Sequence, residues 1–416
     1  MRNLYRNLYG GVYKMIDVFW GEFLLHPIPL EMSGNSCSHD CCYCFANIRR
    51  SCRVSEISRV INFLQGNTRA QNLATTLYND GYPLCISNRT DPFSESNYGE
   101  TRILAQILAD KPNGLFIQTK LGREEYVDEF IDTLGKKRNI MFYITITTPN
   151  DDIAQIIEPG APSPSERKRM AAKLVKAGYP VIVAFNPFAE GWTNLDENLR
   201  EVESFRKLGI NNFFYQNLHM ANKEVQGFKS DRAQRFKKSG IDLSQYTVKA
   251  TRIERQKYAQ LAMLKAYQAG HNALLFGAPL KSEFFDMFKK TFKDKTFPTS
   301  YQFTNWMIKN KKPGDVITKA EYLEVLLPSL GDLADRKIKR LDTYILRQAR
   351  NAWKGNMRAQ NIGTFRELLE FIFDDKRMNQ CPKNFFLCRT DESGQLVYKG
   401  KIDPHVEINR LQGGGL

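Results

Sequence analysis

The chain contains no uninterrupted apolar run approaching the ~20 residues that span a bilayer. Its opening stretch, MRNLYRNLYGGVYKMIDVFW, has no clean apolar core followed by a small-residue cleavage site. Membrane association is therefore not expected, and a cytoplasmic location is. No internal repeat is visible. A disulfide framework is also missing: of the eight cysteines, Cys37, Cys41, Cys42 and Cys44 crowd one short segment, while Cys52, Cys85, Cys381 and Cys388 are scattered. In a long chain without an export signal, such clustering points to metal binding. Acidic residues are in deficit, 45 Asp and Glu against 60 Lys and Arg, and the resulting +15 raises the case for a polyanionic partner such as DNA or RNA. The bland alternative is a basic solvated surface.

What is present is an ordinary globular balance, 42% hydrophobic and 25% charged over 416 residues, enough for one large α/β unit with additions or for two to three domains. Short apolar runs alternate with amphipathic stretches from about residue 85 to 218, the pattern of a parallel sheet with crossover helices. The strands expected are Pro83–Ser87, Gly114–Thr119, Ile140–Thr147, Pro180–Phe185 and Asn212–Gln216, preceded by one near Leu24–Met32. Helices are expected at Glu100–Ala109, Glu124–Leu134, Ser165–Ala177 and Leu195–Leu208, one of them ending at Gly178. About six β/α units result. Residues 227–250 read as a basic linker, 251–380 as a mainly helical accessory region with a further strand at Asn272–Pro279, and 381–416 as a short β-like tail, against 1–226 for the barrel.

The segment NSCSHDCCYCFAN sets Cys37, Cys41 and Cys44 in a C-x3-C-x2-C spacing on one tight loop. A [4Fe–4S] cube has four irons, so three thiolates leave one open to a small molecule. A structural zinc would take a fourth ligand, and His39 or Cys42 is at hand as the alternative. Counting from Cys42 instead of Cys41 gives a C-x4-C spacing.

With Tyr43 just ahead of its last cysteine, this loop resembles the signature of the radical S-adenosylmethionine (SAM) superfamily. The resemblance implies a partial (β/α)6 TIM-type barrel with a mainly helical C-terminal extension, a [4Fe–4S] cluster on Cys37, Cys41 and Cys44, and SAM chelated to the open iron with Tyr43 near its adenine. The order of later motifs is similar to the spore photoproduct lyase-like branch. Ser87, Thr90 and Asp91 in SNRTDPF stand where that branch has a polar turn toward the methionine end of SAM. Lys120 ends QTK, as a lysine does there, suited to a carboxylate. Thr145 and Thr147 share a strand face by period-two alternation and offer hydroxyls to ribose or carboxylate. The run EPGAPS with Arg167 beyond it matches the branch closely, with Glu158 and Arg167 as a pair near the cofactor. Asn186 and Pro187 close the fifth strand where a similar pair lines the site. Each of these has a structural explanation too: turn formation, β-propensity or a plain salt bridge.

The chemistry implied is SAM cleavage to a 5′-deoxyadenosyl radical that abstracts hydrogen, fed by a low-potential donor of the flavodoxin or ferredoxin type. Cys85 lies near the position of a hydrogen-donor cysteine if Ser87 anchors the comparison; anchoring on Thr90 and Asp91 places Asn88 there instead. Modification or rearrangement of a nucleobase in DNA or RNA is the expected reaction, ahead of photoproduct repair or peptide modification. Basic clusters at Lys229–Lys238, Lys309–Lys312 and Arg336–Arg340, with Tyr301, Phe303, Trp306, Tyr344 and Trp353 nearby, would contact phosphates and bases. A pair at Cys381 and Cys388 is too small for a second cluster.

Overall fold

The structure is a computed structural model and describes residues 27–30, 37–44, 57–67, 73–86, 90–218, 230–243, 252–275, 283–293, 295, 300–339, 341, 362–375, 381–385 and 387–413. Ser87, Asn88, Cys52, Arg340, Tyr344 and Trp353 lie outside the described residues.

Seven parallel strands follow one another in chain order: β1 (Ile28–Leu30), β2 (Leu84–Ile86), β3 (Leu115–Thr119), β4 (Ile140–Thr145), β5 (Val181–Phe188), β6 (Asn212–Asn217) and β7 (Asn272–Leu275). This is the expected partial barrel, with the strand at 272 added to its open edge against β6. The sheet thus runs on past residue 226 to Leu275. Strands such as IMFYIT in β4 are buried at every position, as befits a parallel sheet covered on both faces.

Between the strands stand α1 (Ile57–Leu64), α2 (Leu73–Asn79), α3 (Tyr98–Leu108), α4 (Glu124–Leu134), α5 (Asp151–Ile157), α6 (Pro164–Lys176) and α7 (Leu195–Lys207). Their ends are written locally. Ser163 and Glu166 form a reciprocal capping box with Pro164 at the first turn, and Asn194 and Glu197 form a second. Gly178, at φ 87, ends α6 in the left-handed conformation that a side chain would resist.

Alternation splits the sheet's side chains between two cores. Leu84, Leu115, Ile117, Ile140, Phe142, Val183 and Phe213 join the helices outside. Cys85, Phe116, Met141, Tyr143, Ile182, Ala184 and Phe214 fill the barrel interior. After α8 (Ser230–Lys238) and α9 (Arg252–Gln268), α10 (Glu283–Phe292) sends Phe288 and Phe292 into that interior cluster. It does so at the strands' N-terminal end: a Cβ on Gly114, just before β3, would lie 2.4 Å from the Phe292 ring, and Asn212, the first residue of β6, donates to the Met287 sulfur at 3.2 Å. The floor of the barrel is therefore plugged. Its mouth is the C-terminal end.

Helix α9 packs on β6, β7 and α7. Beyond it lie α11 (Ser300–Asn310), α12 (Lys319–Leu326), α13 (Phe365–Asp374), the antiparallel pair β8 (Cys388–Thr390) and β9 (Leu396–Tyr398), and α14 (Pro404–Gln412). The tail hairpin is shorter than the apolar pattern suggested: its first strand begins only at Cys388, after a single 3-10 turn at Pro382–Asn384. Likewise β5 does not stop at Asn186; it continues through a cis Asn186–Pro187 bond to Phe188.

No described helix is long and apolar enough to cross a membrane.

Candidate active site

The residues singled out in the sequence gather where the strands end. The loop carrying Cys37, Cys41 and Cys44 follows β1; Thr90 and Asp91 follow β2, Lys120 follows β3, Thr147 and Glu158 follow β4, and Asn186 lies late in β5. This is the end of a parallel barrel at which loops from separate strands meet.

The cysteine loop is held from three sides. Ser38 and Ser96 exchange hydrogen bonds, each amide to the other's hydroxyl, at 3.0 and 3.3 Å. The Cys42 amide donates to the Ile157 carbonyl at 2.8 Å. His39, 3% exposed, donates from Nδ1 to the Gly160 carbonyl at 2.9 Å while its Nε2 stands 3.3 Å from Asp91 Oδ2. Gly160 is irreplaceable here, since a Cβ would fall 1.9 Å from the Ser38 carbonyl oxygen.

Asp91 is a brace whose two carboxylate oxygens accept three hydrogen bonds. Its Oδ1 accepts from the Phe93 amide at 3.0 Å and the Thr119 hydroxyl at 2.7 Å; its Oδ2 accepts from the Lys120 amide at 2.5 Å and faces His39. Burial would raise this carboxyl, but His39, the Lys120 amide and Thr119 together hold it below the usual range. Thr90, beside it, is half-buried.

A second cluster of charge lies behind Tyr43. Glu158 and Arg167 are fully buried and paired through Oε2 and Nη2. Arg167 also donates to the Pro162 carbonyl at 2.7 Å and the Thr145 carbonyl at 3.1 Å. Glu158 Oε1 accepts from the Tyr43 hydroxyl and from Thr147 at 2.5 Å. Burial favours the neutral acid, yet Arg167, Lys120, Thr147 and Tyr43 outweigh it and draw Glu158 down to about 2. Thr145, which ends β4, lends its carbonyl to this network.

Lys120 has its Nζ 5.4 Å above the Tyr43 ring. Burial would discharge it, but Cys41 and Glu158 hold it protonated. Among the described residues its ammonium has no hydrogen-bond or ion-pair partner, although it is half-buried at the mouth. Burial pushes the Cys41 thiol up, Lys120 opposes this, and Glu158, Cys44 and Cys37 reinforce it, so the three thiols and Lys120 share one field.

Cys42 belongs elsewhere. It is buried with Ile157, Ala189, Trp192, Leu218, Phe236 and Ile241, and burial pushes its thiol up to about 12. With the His39 ring committed to Gly160 and Asp91, both side chains offered as a fourth zinc ligand have other partners. No three Cys, His, Asp or Glu side chains among the described residues converge as around a single ion. Thiolates on different corners of a cube stand farther apart than ligands sharing one ion.

Cys85 sits inside the barrel among Phe116, Met141 and Tyr143. Asn186 faces the same interior, its amide donating to the Tyr143 hydroxyl at 3.3 Å. The remote pair is also apolar: Cys381 donates to the Phe373 carbonyl at 3.2 Å, and Cys388 lies 3.7 Å from the Met307 sulfur. Sequence reading missed His39 as a brace, Gly160 as a seat and Asp40 as an anchor; only the EPGAPS run carried a hint of the second.

Residues 32–201 match the family model described as the radical SAM superfamily, and that segment is a radical SAM domain. Domains of this superfamily use a [4Fe–4S] cluster and SAM. Among solved structures, a double mutant of spore photoproduct lyase with bound AdoMet and dinucleoside spore photoproduct is similar at 16% identity, covering 64% of this chain and 80% of its own, with a TM-score of 0.45. Spore photoproduct lyase complexed with dinucleoside spore photoproduct is similar at 16% identity and a TM-score of 0.44, with the same coverage of 64% and 80%. No curated protein matches the chain.

Proposed function

We propose that this chain is a radical SAM enzyme that modifies or rearranges a nucleobase in DNA or RNA. The observation that carries the first half is the loop itself: three cysteines gathered beside an unpartnered ammonium, with the fourth cysteine turned into an apolar cluster. Cys37, Cys41 and Cys44 would hold the cluster. Lys120 suits the SAM carboxylate, and Tyr43, bonded to Thr147, would line the mouth together with Thr90 and Asn186 at the strand ends. When bound and reduced, the cluster and SAM supply a hydrogen-abstracting radical.

The protein's own part is to fix geometry and keep out water. Glu158, anchored by Arg167, fixes the Tyr43 hydroxyl and with it the ring next to Cys44. Asp91 and His39 fix the loop. The plugged floor leaves the mouth as the route for substrate, so a base in a duplex would have to be flipped out to reach it.

Nucleic acid is supported by the +15 charge. Some of the basic residues are spent internally, Lys311 on Glu321 and Arg336 on Asp80 and Asp332, and Phe303 is core rather than a stacking platform. Lys309, Lys312, Lys237 and Lys238 remain exposed. A low-potential flavodoxin- or ferredoxin-type donor would deliver the electron.

The test is anaerobic reconstitution, then reduction with SAM alone and with DNA, RNA or peptide, reading 5′-deoxyadenosine and product mass. SAM cleavage that rises with a polynucleotide is expected, lost in Cys41→Ala and kept in Cys42→Ala. A preparation with a full cluster that cleaves no SAM overturns the enzyme reading; stimulation by peptide alone overturns the substrate.

A further inference from the structure

The basic stretch after β6 does something its composition does not suggest. Of the cations on α8, Lys237 and Lys238 are exposed, but Arg232 and Arg235 turn onto the cysteine loop. Arg235 donates from Nη1 to Asp40 Oδ2 at 2.8 Å and from Nη2 to the Asp40 carbonyl, gripping side chain and backbone of one residue together. Arg232 adds a longer contact to Asp40 at 3.9 Å.

Asp40 stands immediately before Cys41 with φ at 45, a left-handed conformation that non-glycine residues hold at a cost and keep only when neighbours impose it. The fork of a guanidinium is suited to imposing it, because two parallel donors fix orientation as well as distance.

The helix is seated by packing as well as by charge. Phe236 stacks on Trp192 at 5.8 Å, and Trp192 in turn meets Tyr43 at 5.6 Å and donates to Ser239 at 2.9 Å. Arg235 is therefore set rigidly in place, with a positive charge directed at the loop that carries Cys37, Cys41 and Cys44. Groups that hold metal ligands from behind tune both retention of the metal and its potential.

We propose that Arg235 is a positioning residue for the iron–sulfur cluster: it locks the ligating form of the loop through Asp40, and the two opposed charges set the cluster's redox potential. The proposal rests on the reading that Cys37, Cys41 and Cys44 hold the cluster.

The experiment uses the full-length, reconstituted protein and three variants, Arg235→Gln, Arg235→Lys and Asp40→Asn. Iron loss to excess chelator is followed by the cluster's visible absorbance, and the midpoint potential is taken from an EPR-monitored titration. Arg235→Gln is expected to lose iron on the order of 10-fold faster and to shift the potential negative, since Asp40 loses its nearer cation and keeps only the longer contact to Arg232. Asp40→Asn, an exposed change that keeps a residue tolerant of the left-handed conformation, also speeds iron loss but shifts the potential positive. Arg235→Lys keeps the parent potential without the parent resistance to chelation, because charge survives and the fork does not. Opposite shifts from the two partners are a signature that simple loosening would not produce. Iron loss and potential within twofold and unshifted in both Arg235→Gln and Asp40→Asn overturn the proposal. If Arg235→Gln fails to fold, Asp40→Asn alone decides it. A parent protein that takes up no iron and sulfide overturns this proposal and the cluster assignment together; an intact parent cluster with unaffected variants overturns this proposal alone.

Discussion

Glu158 and Arg167 show what a single residue can be asked to do. Both are fully buried, and the carboxylate has an acceptor oxygen for Arg167 and another for Tyr43 and Thr147, so no charge is left uncompensated. Removing one partner from such a pair leaves the other's charge in a low-dielectric site. Glu158→Gln should therefore cost about 3–5 kcal/mol, checked by urea unfolding. The same group has a pH signature. Its folded value, about 2, lies below the ordinary 4.5, so between those values the folded chain binds fewer protons than the unfolded one. Its contribution is complete above 4.5 and is lost as pH falls toward 2; thermal melts at pH 5 and pH 3 should show a larger drop for the parent than for Glu158→Gln. The pairing was legible because Glu158 and Arg167 fall within one recognisable run. The closing of that pair on Tyr43, more than a hundred positions away, was not.

At the scale of elements, local signals did well where the backbone is closed by near neighbours. The capping boxes at Ser163 and Asn194 mark helix starts that the sequence places within a residue or so. Elements fixed by partners were read less well. The loop is one such element, seated against the turn at Gly160. Gly160→Ala should push the turn off Ser38, destabilising the fold by about 1–3 kcal/mol and lowering iron and sulfide bound per chain after reconstitution. Gly99→Ala is the control: it lies on an exposed helical face with nothing within 4 Å of the added Cβ, and should be neutral or stabilising by up to ~1 kcal/mol. A Gly160→Ala protein with full stability and full iron would show that the seat is dispensable.

Across the whole molecule, the chain beyond β6 is woven into the barrel rather than hung from it. Helix α8 holds the loop at the mouth, β7 lengthens the sheet, and α10 plugs the floor. Phe292, 4% exposed, is the clearest anchor of that plug. Phe292→Ala should cost about 3–5 kcal/mol in chemical unfolding, and the loss should appear in the single transition of the barrel rather than as early release of a separate unit. Early, independent melting of the C-terminal half would contradict this arrangement.

What the sequence determined by itself was local: three cysteines on one loop, alternating strands and helices, capped helix ends, and a positive balance of charge. These depend on spacing and residue type along a short stretch, which is why they are legible without coordinates. Tertiary structure alone decided which cysteine turns away, which carboxylate becomes a brace, and why a basic stretch like a linker's presses Arg235 onto Asp40. Those outcomes depend on burial and on partners tens to hundreds of residues distant. The physical reason is that a charge or thiol takes its role from what surrounds it once water has been removed, and only the folded chain supplies those surroundings.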